Sequence, residues 1–217
     1  MVMTGLRELQ RQRQHEAIST AAITLFLERG FDEVPVTEIA AAAGVSKPTL
    51  FKYFPTKEDL VLHRFADHQG EAARVVRGRQ PGERPLDALR RHFLDGLARR
   101  DPVTGLNDHP GVIAFHRMVF DTPSLAARLF HHMAADEAAL AQALAETVDE
   151  TVDETMDETM DELTAALLAT QALAAQRVLA RRTWGLLADG MPLAEAEADA
   201  VRAAERAFTL LSEGLRS

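Results

Sequence analysis

"VTEIAAAAGVSKPTLFKYFPTKEDL", residues Val36 to Leu60, decides the fold. It carries the punctuation of two short helices, a tight turn between them, and a third helix started directly afterwards. Thr37 is a good N-cap, and Ile39, Ala40 and Ala43 follow at helical spacing. Gly44 ends that helix, because glycine takes the left-handed conformation just past a helix end. Val45 is the apolar residue of the turn. Ser46 caps the next helix, and Pro48 falls in its first turn, where a missing N–H has no intrahelical partner anyway. Leu50, Phe51 and Phe54 share a buried face. At about 100° per residue, Pro48, Thr49, Lys52 and Tyr53 fall on the opposite side. Pro55 stops the helix. Thr56 then opens a long helix with Asp59 three positions on, as in a capping box.

This is the pattern of a helix-turn-helix, which places one short helix in the major groove of DNA. An outer face of Pro, Thr, Lys and Tyr is poorly explained as packing. Lys47, at the first turn, adds charge where the helix dipole already favours a phosphate. The chain has three lysines, Lys47, Lys52 and Lys57, and all lie in or beside this helix. Clustered point charges suit phosphate contacts, which position a protein without reading sequence.

Residues 13 to 62 resemble the DNA-binding domain of the TetR family of bacterial transcriptional regulators. The resemblance rests on a first helix with Ile18, Ala21, Ala22, Leu25 and Phe26, ending in "ERGF" (Glu28 to Phe31). "VTEIA", "AGVSKPTLFKYF" and "TKEDLV" follow. Phe51 stands where the family usually has a tyrosine, and Tyr53 where histidine is common. Phe51 has no hydroxyl for a phosphate, and base preference at Tyr53 is open to change. The resemblance implies a homodimeric regulator on a pseudo-palindromic operator. Its DNA contacts would be Ser46, Lys47, Pro48, Thr49, Lys52, Tyr53 and Lys57, with Thr37 on phosphate.

A length of 217 residues suits a DNA-binding domain over 1–62 and a larger domain over 63–217. The net charge of −9 has a local source: Glu146 to Glu162 holds nine acidic residues and no basic one. Setting these aside leaves 24 of the 33 acidic residues against 24 basic ones. The acidic stretch is a four-residue repeat, "TVDE TVDE TMDE TMDE", over 147–162. Its like charges at i, i+4 disfavour a helix, so it is expected as a linker or frayed extension. A loose Ca²⁺ or Mg²⁺ site is the functional alternative, without the spacing of a calcium-binding loop. No cysteine is present, which excludes disulfides and thiolate metal sites. No metal, cofactor or membrane is expected. No apolar run comes near the ~20 residues of a membrane span, and "MVMTGLRELQRQRQ" is no signal peptide. A cytoplasmic protein is the simplest reading.

The remaining chain is expected to be helical throughout, making the fold all-α: a three-helix helix-turn-helix domain followed by a helical ligand-binding and dimerisation domain. The helix opened by Thr56 should run to about Arg79. Further helices are expected over 86–100, 112–120, from Thr122 to at least Ala145, and over 163–188 and 193–215. In the last helix Val201, Ala204, Phe208, Leu211 and Leu215 alternate in steps of three and four, a coiled-coil-like seam. In the family the last two helices pair with those of a second chain. The middle helices would line a ligand chamber from Phe93, Leu97, Phe115, Met118, Val119, Phe130, Met133 and Trp184, with His116 as a polar handle. The same stripe would equally serve as plain core. His131 and His132 face different sides of a helix and make no metal pair. Three functions follow: a repressor released by a mostly apolar small molecule; a DNA-binding regulator without such an effector, controlled by a protein partner; or, remotely, an α-helical enzyme. No nucleophile–base pair or phosphate loop supports the enzyme.

Overall fold

The computed structural model describes residues 2–146 and 160–214. Among them every regular element is helical. The order is α1 (Val2–Arg29), α2 (Val36–Ala42), α3 (Lys47–Tyr53), α4 (Asp59–Leu62), α5 (Glu71–Arg77), α6 (Pro85–Ala98), α7 (Pro110–Asp121), α8 (Pro123–Ala145), α9 (Glu162–Ala188) and α10 (Leu193–Gly214). Short 3-10 turns stand at His63–His68 and Pro102–Thr104. The described helices form two compact units, residues 1–67 with 114–130, and residues 68–113 with 131–217.

In the first unit α1 packs on α2 and α4. Ile18, Ala22 and Phe26 of α1 are buried with Val34, Ile39, Leu50, Phe54 and Leu60. Helices α2, α3 and α4 are short, so packing rather than propensity holds them. The core also takes in Leu125 and Val119. Arg128 of α8 reaches the Asp59 carboxylate at 3.2 Å.

Helix α4 is a correction. The helix opened at Thr56 does not run to Arg79: it stops at Leu62, tightens into the 3-10 turn, and restarts as α5. Gly70, the N-cap of α5, keeps one helix from running through this point. It is left-handed, with φ +65°, and its N–H donates to the Asp136 carboxylate at 2.9 Å. A left-handed residue breaks a right-handed helix, and glycine does so without a Cβ clash. The N-cap of α2 is Pro35, so Thr37 lies inside the first turn instead of capping it.

In the second unit, α10 packs on α6 and α9. Alanines recur on the facing sides, Ala165, Ala169 and Ala172 of α9 and Ala196, Ala200 and Ala204 of α10, all buried. Small side chains at the contact let helix axes approach closely. Leu86, Leu89, Phe93 and Leu97 of α6 close the core, with Leu140 and Leu144 of α8. The dimer seam expected on α10 is therefore corrected in part. Ala204 and Phe208 point into their own chain's core, Phe208 with its ring 6.3 Å from that of Phe93. Leu211 packs partly against the same core and Val201 is exposed. Leu215 lies outside the described residues.

Helix α9 corrects another expectation: by length and composition it is apolar enough to cross a membrane, with mean hydropathy 1.3 over its best window. Its alanine and leucine face is core of the second unit. Of the acidic repeat, residues 147–159 lie outside the described set. Its last aspartate, Asp161, caps α9 by accepting from the N–H groups of Leu163 and Thr164 at 3.0 Å. The Thr164 hydroxyl above all, and then those bonds, hold the Asp161 carboxyl below the usual carboxylate range.

Candidate nucleic-acid interface

The turn between α2 and α3 is built as its residues dictate. Gly44 is left-handed at φ +65°. The Val45 N–H donates to Ala40 O at 2.9 Å and the Gly44 N–H to Ala41 O at 3.1 Å, the paired bonds of a glycine-terminated helix end. Ser46 then caps α3: its hydroxyl oxygen accepts from the Thr49 N–H at 3.2 Å and lies 2.8 Å from the Thr49 hydroxyl. Leu50 and Phe54 are buried and anchor α3. The capping box after it is present in both directions, Thr56 N–H to Asp59 Oδ2 at 3.1 Å and Asp59 N–H to Thr56 Oγ1 at 3.2 Å.

What is left facing outward from α3 is Pro48 and Lys52, both exposed, with Thr49 and Tyr53 half-buried beside them. Lys47 and Ser46 are exposed at its start, and Thr37 is exposed on α2. Phe51 departs from expectation. It is exposed rather than buried, and the Lys47 ammonium lies 5.9 Å from its ring centre. A helix of two turns buries only the narrow stripe of Leu50 and Phe54, and Phe51 sits about 100° away from Leu50. Lys57 departs as well. Its ammonium turns back over Phe31, 4.6 Å from the ring centre, and donates to Asp32 O at 3.5 Å. Of the three lysines, Lys47 and Lys52 are the two on the open face.

Behind α3 is a polar brace that no helical periodicity indicates. His15 of α1 stacks on Phe54 at 4.3 Å and meets His63 edge-on at 4.9 Å. The buried Ser19 hydroxyl donates to Leu60 O at 3.3 Å and lies 3.1 Å from His63 Nδ1. Donation to Leu60 leaves the Ser19 oxygen to accept from the histidine N–H, which assigns that tautomer. Its signal in the sequence is a histidine one turn before Ile18 and a serine beside it, both on the inward side of α1. Arg29 pairs with Glu38 and ties the end of α1 to α2.

The expected chamber residues fall in both units. Phe115, His116, Met118, Val119 and Phe130 are in the first; Phe93, Leu97, Met133 and Trp184 are in the second. Val119, His116, Phe93 and Leu97 are buried, and Phe115, Met118, Met133 and Trp184 are partly so. Phe130 is 71% exposed, which removes it from any enclosed lining in the single chain. Burial alone pushes the His116 imidazole below its ordinary value, so it is held neutral. Trp184 Nε1 donates to Ile113 O at 3.4 Å. Among the described residues no group of three or more His, Asp or Glu side chains is placed to hold a metal ion.

Residues 18–63 match the family described as bacterial regulatory proteins, tetR family. The chain is 30% identical over 139 residues to the HTH-type transcriptional regulator TcmR of Streptomyces glaucescens, covering 64% of this chain and 62% of that protein. It spans smaller shares of other regulators it matches, 26% of YdeS from Bacillus subtilis at 45% identity. Solved structures agree over nearly the whole length. Salmonella enterica GusR aligns with a TM-score of 0.57 at 21% identity, over 94% of this chain and 96% of its own. The FadR regulator of Bacillus subtilis, solved in complex with stearoyl-CoA, aligns with a TM-score of 0.51 at 18% identity, over 90% and 96%. At these identities the likeness is one of fold.

Proposed function

We propose that this chain is a bacterial regulator of the tetR type: a cytoplasmic, homodimeric repressor that binds a pseudo-palindromic operator and is released by a small, mostly apolar ligand. Residues 1–62 serve as the DNA-binding domain and 63–217 as the ligand-binding and dimerisation domain. The observation that carries the reading is the seating of α3. Leu50 and Phe54 fix it from behind, Ser46 fixes its start, and Lys47, Pro48, Thr49, Lys52 and Tyr53 are left outward. Lys47 and Lys52 hold phosphates; Thr49 and Tyr53 reach base edges.

Two supports are weaker. Half-sites on DNA lie about 34–36 Å apart, so two recognition helices and hence two chains are needed. One side of α9 exposes Leu163, Leu167 and Val178 at helical spacing, a stripe suited to a second copy. The ligand class rests on the aromatic and aliphatic residues of α6 and the end of α8, and the apolar acyl chain of the stearoyl-CoA bound by the Bacillus subtilis relative is in keeping with it.

The test is selection of DNA from a random duplex pool by the full chain, followed by fluorescence anisotropy. An inverted repeat should be recovered. Lys47→Ala and Lys52→Ala should weaken all duplexes alike and each lower the salt slope by about 0.9 per half-site. Thr49→Ala and Tyr53→Ala should change the sequence recovered. Wild-type binding by all four variants would refute the assignment of α3. If DNA binding stands and no host extract releases it, the ligand-free regulator is the correct reading.

A further inference from the structure

Helix α1 runs from Val2 to Arg29, and between residues 9 and 17 none of its side chains is buried. The stretch Gln10 to Gln14 reads "QRQRQ", with no apolar residue and no acid. At helical spacing Gln10, Arg13, Gln14 and Ala17 share one face. That face and Tyr53 of α3 enclose a groove of about 570 Å³, flanked by Arg11 and open to solvent. No lining residue is acidic. Glu16 lies on another side of α1, where it accepts from the Gln12 carboxamide at 3.3 Å. Arg13 is exposed and makes no ion pair with any described residue.

We propose that this groove is a second DNA-contacting element, which seats the sugar–phosphate backbone of the strand flanking each half-site. The proposal rests on the DNA-binding reading of α3 and adds to it residues that no helix-turn-helix pattern names. Three observations carry it. Tyr53 belongs both to the groove and to the outward face of α3, so the groove continues the recognition surface. Its chemistry is that of a phosphate seat: the Arg13 guanidinium is a planar fork of donors, and the Gln10 and Gln14 carboxamides add neutral N–H donors. Its length fits. Gln10 to Ala17 spans about 10 Å of helix axis at 1.5 Å per residue, which matches about three successive phosphates of one strand. A dimer would then cover about three base pairs more at each outer edge than two recognition helices alone.

The experiment uses the full chain and two probes: a mixed-sequence duplex at graded salt, and the inverted repeat selected by the wild type for phosphate-ethylation interference. Arg13→Ala should lower the slope of log K against log salt by about 0.9 per site and erase interference at the outer phosphates only. Arg13→Lys should restore the slope. Gln14→Ala should weaken the outer interference without changing the slope. Gln12→Ala, on the opposite side of α1, should do neither. Should Arg13→Ala fail to fold, Arg13→Gln removes the same charge and is read in the same way. If the Arg13 variants match wild type in slope and interference while Lys52→Ala lowers the slope, the groove proposal is overturned and α3 stands. If Lys52→Ala also matches wild type, both readings fall.

Discussion

Ser46 shows how one side chain sets the geometry of a whole interface. Its hydroxyl satisfies the Thr49 N–H at 3.2 Å, so α3 starts where Lys47 and Lys52 end on the same open side. Ser46→Ala should destabilise the protein by about 1 kcal/mol in urea unfolding, the usual loss for an N-cap. Leu50→Ala should cost more, roughly 2–5 kcal/mol, because Leu50 is fully buried. Lys57 behaves differently from the other lysines. Its ammonium over Phe31 contributes about 0.5–1 kcal/mol, so Lys57→Ala should lower stability more than Lys52→Ala and change DNA affinity less. His116 gives a pH signature. Burial lowers its folded pKa below the ordinary 6.5, so the unfolded chain binds more protons between the folded value and 6.5. Stability therefore falls as pH drops through that window and is fully present above it. His116→Phe should flatten this loss in pH-dependent denaturation; an unchanged profile would place the titration elsewhere.

At the scale of elements, the helix-turn-helix was legible except at Thr37, which does not cap α2, and Phe51, which is exposed. Gly44, Ser46, Pro55 and the Thr56–Asp59 pair act locally, and each does in the structure what its chemistry requires. The break between α4 and α5 was not. Gly70 is an ordinary glycine in the sequence, and its role depends on Asp136, 66 residues away. The brace of His15, Ser19 and His63 escaped for the same reason, since pairings across 41 to 48 residues leave no period. Asp59 is also more than a cap. One carboxylate oxygen accepts from Thr56, the other takes Arg128 of α8. Asp59→Ala should therefore lower stability by about 1–2 kcal/mol, against about 0.5 for Arg128→Ala, and their effects should not add in a double-mutant cycle. Additive effects would mean that the ion pair is idle.

At the scale of the molecule, the seam of α10 illustrates what periodicity leaves undetermined. A stripe in steps of three and four says that a helix buries one face, but not against which chain. Here Ala204 and Phe208 face their own core, and the alternative face lies on α9, with Leu167 and Val178 outward. Phe208→Asp should therefore unfold the second unit, whereas Val178→Asp with Leu167→Asp should leave a folded monomer in sedimentation that loses its operator. A dimer surviving the latter pair would put the interface elsewhere. The central claim, that two copies of α3 read DNA, is tested most directly by selecting duplexes with the full chain and footprinting the product. An inverted repeat with two protected half-sites one helical turn or a multiple apart is the predicted result, weakened by Lys47→Ala with Lys52→Ala. A selection that returns no common sequence, or a footprint unchanged in the double variant, would contradict it.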